Sequence, residues 1–102
     1  MRLSPKEASA LLNVFKSFGL IPDCKVFLFG SRVDSTKKGG DIDLLLLCPE
    51  SRYQQILEKK YLIKAELEFS VGEQRVDLTF ATLAKLDKEP FLLSIRDQLM
   101  EL

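Results

Sequence analysis

Three aspartates and one glycine-serine turn are the residues of this 102-residue chain best suited to chemistry. Gly30-Ser31-Arg32 closes the apolar run Val26-Phe27-Leu28-Phe29, and Asp41-Ile42-Asp43 opens a second run, Leu44 to Leu47. Asp77 sits inside a third strand-like segment, Arg75-Val76-Asp77-Leu78-Thr79-Phe80. Strand side chains alternate faces, so Asp41 and Asp43 point to one side, close enough to share a metal. Hard oxygen ligands suit magnesium. Two ions bridged by shared carboxylates can activate an attacking hydroxyl and neutralise a leaving pyrophosphate. Gly30 lets a phosphate approach the backbone closely. The amides of the following turn, with the Ser31 hydroxyl, can cradle a triphosphate. Arg32, Lys37 and Lys38 are nearby cations able to neutralise it further. Taken singly, each feature has a plain structural reading: a turn, a solvated strand edge, an ion-pair partner for Arg75, a charged loop. Their combination, in order, is what a magnesium-dependent nucleotidyl transfer requires.

That chemistry needs elements that bring the three features to one edge. Ser4-Pro5-Lys6-Glu7 is a helix start, with Ser4 as cap, Pro5 in the first turn and Glu7 completing a capping box. Ala8, Leu11, Leu12, Phe15 and Phe18 recur at helical spacing, and Gly19 ends the helix. Strand one is predicted over Lys25 to Phe29, followed by a short helical turn from Ser31 and a polar loop, Ser35 to Gly40. Strand two is predicted from Asp41 to Cys48; it is apolar on both faces after Asp43, hence central. Glu50 to Ser70 reads as one helix whose stripe is Tyr53, Ile56, Leu57, Lys60, Tyr61, Lys64 and Leu67. A helix is the usual crossover between parallel strands. Strand three follows over Gln74 to Phe80, then a short helix, Thr82 to Leu86. Asp87 is placed to cap a last helix running to the C-terminus, with Pro90 in its first turn and an apolar face of Phe91, Leu92, Ile95, Leu99 and Leu102, widened by Leu93 and Met100. With strands one and two antiparallel and two and three parallel, the turn and all three carboxylates share one sheet edge. The fold class expected is α/β (α+β): a small mixed sheet with helices, in a single domain spanning residues 1–102.

Composition excludes several alternatives. Apolar residues make up 46% of the chain, too many for disorder. Fifteen basic and fifteen acidic residues cancel, which argues against a dedicated duplex-DNA binder. The chain has no histidine, removing Ser-His and Cys-His catalysis and histidine-ligated metals. Cys24 and Cys48 are far apart in sequence and read as buried free thiols in a reducing cytosol. No signal peptide and no bilayer-length apolar stretch is seen, so an intracellular, cytoplasmic, soluble protein is expected.

The pattern Gly30-Ser31-Arg32-Val33, Asp41-Ile42-Asp43-Leu44 and Arg75-Val76-Asp77-Leu78 resembles the minimal nucleotidyltransferase family of the DNA polymerase beta superfamily. The resemblance runs from the first helix through strand three. It departs in a slightly short spacer between Ser31 and Asp41, and in Ser35 where the family often has glycine. It implies a polymerase-beta palm-like fold, with Asp41 and Asp43 binding two magnesium ions. Asp77 would complete the catalytic metal site and help deprotonate the attacking hydroxyl, and Gly30 and Ser31 would hold the phosphates of ATP. Larger relatives carry a further domain for the acceptor. Short members resemble antitoxins paired with HEPN-domain proteins, often ribonuclease toxins. There the transferase moves AMP from ATP onto a tyrosine of the partner, as in a type VII-like toxin–antitoxin system. Two other readings stand beside this one: a binding module that neutralises its partner by occlusion, and a transferase subunit acting on RNA or a small molecule.

Overall fold

The computed structural model describes residues 3–30 and 41–102. The described elements are α1 (Pro5–Ser17), β1 (Lys25–Phe29), β2 (Ile42–Leu47), α2 (Glu50–Leu57), α3 (Lys60–Ser70), β3 (Val76–Ala81), α4 (Leu83–Leu86), α5 (Pro90–Ile95), a 3-10 turn (Arg96–Gln98) and β4 (Met100–Glu101). The strands form one mixed sheet in the order β3-β2-β1-β4. β1 pairs antiparallel with β2, and β2 pairs parallel with β3. This is the mixed α/β architecture expected.

α1 starts where the sequence places it. The Glu7 amide donates to Ser4 Oγ at 3.1 Å, and the Ser4 amide donates to Glu7 Oε1 at 3.0 Å. This reciprocal cap satisfies two amides that the helix itself leaves unpaired, a contribution of about 1 kcal/mol. α1 buries Leu11 and Phe15 and packs on α3, which buries Ile63 and Leu67.

β2 is the central strand. Leu44, Leu45 and Leu46 are all fully buried, which requires cover on both faces. Even-numbered side chains of the sheet (Val26, Leu28, Ile42, Leu44, Leu46, Val76, Leu78, Phe80) join α1, α2 and α3 in the main core. Odd-numbered ones (Phe27, Phe29, Leu45, Leu47, Ala81) meet Leu86, Leu92, Ile95 and Leu99 in a smaller core on the other face. Truncating a core leucine such as Leu44 to alanine in so closed a site costs roughly 2–5 kcal/mol.

Three expectations are corrected. The segment from Glu50 to Ser70 is two helices, broken at Glu58-Lys59, where the Lys59 amide reaches back only to the Ile56 carbonyl, at 3.0 Å. Burial then falls on Ile56, Ile63 and Leu67, while Tyr61 of the predicted stripe is 81% exposed. The last helix does not run to the C-terminus. It spans Pro90–Ile95, and the chain returns through the 3-10 turn to pair Met100 and Glu101 with Leu28 and Phe27 of β1. The free edge of β1 offers the backbone partners that a terminal helical turn would leave unused. Nor does Asp87 cap α5: the cap position is Glu89, and Asp87 instead pairs with Arg96 Nη1 at 2.8 Å. Among the described residues, no helix is long and apolar enough to cross a membrane.

Candidate functional site

The parallel register sets Asp43 directly beside Asp77, between Ile42↔Val76 and Leu44↔Leu78. Both are odd-numbered and stand on the smaller-core face of the sheet, Asp43 half-buried and Asp77 exposed. On the other side of β2, Phe29 is the register partner of Asp43. The next residue, Gly30, has φ +78°, a left-handed conformation. A Cβ on Gly30 would overlap the Asp43 carboxylate. Only glycine meets both conditions, so the end of β1 is shaped around the Asp43 side chain. The structure thus brings together Gly30, Asp43 and Asp77, which lie far apart in sequence.

Charge follows from this crowding. Burial pushes the Asp43 carboxyl up from its ordinary 3.8 to about 6, and the Asp77 and Asp41 carboxylates and a hydrogen bond with Asp77 push the same way. Asp41 therefore acts electrostatically on Asp43. Its own side chain is half-buried just before β2, with Oδ2 3.8 Å from Arg75 Nε. Arg75 was not singled out as a site residue from sequence. Its signal is the register: Ile42 pairs with Val76, and the Ile42 amide donates to the Arg75 carbonyl at 3.0 Å, which sets residue 75 beside residue 41.

No group of three or more His, Cys, Asp or Glu side chains is arranged to hold a metal ion among the described residues. The donor set nevertheless suits a hard cation, because it is all carboxylate oxygen and sets Asp43 and Asp77 side by side. Ser31, Arg32, Lys37 and Lys38, the expected phosphate-binding side chains, lie outside the described residues, as does the turn expected from Ser31. Next to the site, Phe29 meets Phe91 of α5 edge-on, with ring centroids 6.1 Å apart.

No match was found among curated proteins. The family model described as "Nucleotidyltransferase domain" matches residues 8–101, nearly the whole chain. That match spans the glycine turn and all three aspartates, and with the mixed sheet that carries them it places this chain in the nucleotidyltransferase domain family.

Proposed function

We propose that this nucleotidyltransferase moves AMP from ATP onto a hydroxyl of a protein partner, a tyrosine of a HEPN-domain toxin, and so serves as its antitoxin. The observation that carries the reading is the Asp43–Asp77 pair, set side by side on β2 and β3 against Gly30, with Asp41 close enough to raise the Asp43 pKa. The partner and acceptor come from the resemblance to short members of the superfamily.

In this reading Asp41, Asp43 and Asp77 would hold magnesium, with Asp41 released from Arg75. Bound magnesium supplies charge neutralisation at the phosphates and acidifies the attacking hydroxyl. The backbone at Gly30, with Ser31, binds and orients the phosphates, and Arg32, Lys37 and Lys38 offset their charge. The tyrosine oxygen forms a bond to the α-phosphorus as the bond to the α–β bridging oxygen breaks and pyrophosphate leaves. The hydroxyl proton passes to the Asp77 carboxylate, beside Asp43. Phe91 and Leu93, 54% and 45% exposed on α5, support docking of another chain on the site's face.

One feature favours a second reading, neutralisation by occlusion: Asp41 is engaged by Arg75 rather than joined to the other two carboxylates. A single experiment separates the two. The HEPN-domain partner is incubated with the protein, magnesium and ATP, and its intact mass is measured, with Asp43→Asn in parallel. A gain of one AMP with the wild type and none with the variant is expected. Neutralisation by Asp43→Asn without any mass gain would establish occlusion. Label on RNA instead of protein would move the acceptor to RNA.

A further inference from the structure

The only two cysteines of the chain, 24 residues apart in sequence, meet at the end of the sheet away from the aspartates. β1 and β2 are paired from Phe29↔Asp43 to Lys25↔Leu47, and one further step in that register sets Cys24 opposite Cys48. The kind of position is fixed by the hydrogen bonds of β2. The Ile42 amide donates to Arg75 and the Cys48 amide to Ala81, so even-numbered residues of β2 bond toward β3. The ladder to β1 is therefore carried by odd-numbered residues, and Cys24 and Cys48 occupy a non-hydrogen-bonded position. Such antiparallel partners have Cα atoms about 4.5 Å apart and their side chains at closest approach. A disulfide spans Cα separations of roughly 4.4–6.8 Å.

Three observations show how the sulfurs are held. The Cys48 thiol donates to the Leu46 carbonyl of its own strand at 3.6 Å. Both side chains are on the main-core face, 3% and 4% exposed, so neither swings freely into solvent. Their backbones are held, the Cys24 amide by the Leu20 carbonyl and the Cys48 amide by the Ala81 carbonyl, each at 2.7 Å. Access for a small reagent exists on both sides. Cys24 lines a cavity of about 340 Å³ with Leu12, Pro22 and Val26. Cys48 lines another of about 290 Å³ with Asp23, Leu47 and Leu83.

We propose that Cys24 and Cys48 are an oxidisable pair that closes a disulfide across the β1–β2 end of the folded sheet. With hydrogen peroxide as oxidant, the Cys24 thiolate attacks one peroxide oxygen. The O–O bond breaks, and hydroxide leaves and takes up the thiol proton as water. The Cys48 sulfur then attacks the resulting sulfenic acid. The S–O bond breaks, a second water leaves with the Cys48 proton, and the S–S bond forms. Two thiols lose two electrons, and one peroxide becomes two waters. Cys24 is the first nucleophile because the Cys48 thiol holds its proton toward the Leu46 carbonyl, 3.6 Å away, and burial pushes its pKa up to about 12. Burial raises both thiol pKa values, so the reaction is slow at neutral pH and quickens about tenfold per pH unit as the thiolate fraction grows.

The test treats the folded protein with hydrogen peroxide at pH 7 and pH 9, then denatures it and labels free thiols with a maleimide. The expected product is a monomer that has lost two hydrogens and takes up no label, formed faster at pH 9, with a higher urea midpoint that a reducing agent returns to its starting value. Cys24→Ala and Cys48→Ala should each fail to give this product. Two labelled thiols after treatment of folded protein, oxygen added to a single sulfur, or a disulfide between chains would each overturn the proposal. So would an oxidised monomer with a lower urea midpoint, since the bond would then not fit the native sheet.

Discussion

At the scale of single residues, the site is crowded at the expense of the fold. Gly30→Ala places a methyl group where the Asp43 carboxylate lies, at a φ of +78° that alanine resists. The variant should lose on the order of 1 kcal/mol of stability. It should also lose transfer by about 100-fold, because the displaced carboxylate no longer holds its partners in place. Urea unfolding and a transfer assay read the two effects separately. Asp43 itself gives a pH signature. Its folded pKa, about 6, lies above the ordinary 3.8, so the folded state holds the proton longer than the unfolded chain. The Asp43 contribution to stability is therefore greatest below about pH 4 and is lost as pH rises through about 6. In the absence of divalent cation, the urea midpoint of the wild type should decline across that window. Asp43→Asn should flatten the decline and be the more stable protein at pH 7.5 while losing transfer. A wild-type profile that rises with pH between 4 and 6 would contradict the assignment.

At the scale of elements, Asp77 is placed by the way α3 is tied to β3. Glu68 Oε2 accepts the Val76 amide at 2.9 Å and is itself bound by Lys64 Nζ at 2.6 Å. In β3 the even-numbered amides face away from β2, so Glu68 caps the outer edge at the residue before Asp77. The Lys64 and Val76 hydrogen bonds hold the Glu68 carboxyl below its ordinary range. Its support is thus present at neutral pH and is lost as pH falls through that lowered value. Glu68→Ala should speed exchange of the Val76 amide roughly tenfold at pH 7, with little change at Leu44, which amide-resolved hydrogen exchange can measure. How far the sequence discloses such elements depends on whether the signal is local. The strands are legible because their apolar runs are bounded by Pro22, Gly30, Pro49 and Gly72. The capping box is legible because both its partners lie within four residues. The break at Glu58-Lys59 is not, since Glu-Lys-Lys favours helix and only the fit of Ile56 and Ile63 to one sheet face bends the chain. β4 is invisible for a related reason: two residues have no periodicity, and their partner, the β1 edge, lies more than 70 residues upstream. In the site, Asp43 and Asp77 follow from alternation and register, whereas the turn of Asp41 toward Arg75 depends on side-chain placement that no spacing encodes.

At the scale of the whole molecule, the two sheet faces are unequally covered. α1, α2 and α3 close the main-core face, while the face bearing Asp43 and Asp77 is covered by the short α4 and α5. α5 buries Leu92 and Ile95 and leaves Phe91 and Leu93 exposed. The edge contact of Phe91 with Phe29, two residues from the register partner of Leu45 and adjacent to Gly30, links this exposed apolar surface to the site. On the proposed reading a protein acceptor presents its hydroxyl on this face, so a charge introduced there should obstruct the partner and not the nucleotide. Leu93→Glu tests this. Its side chain is exposed, so the fold should hold, with a urea midpoint close to wild type. ATP binding, followed with a fluorescent analogue, should be unchanged. Modification of the partner should fall at least tenfold, since burying an unpaired carboxylate at a contact costs more than the roughly 1.4 kcal/mol that a factor of ten represents. If the variant modifies its partner at the wild-type rate, docking does not use α5. If it loses ATP binding as well, α5 belongs to the nucleotide site and the acceptor must approach from another side.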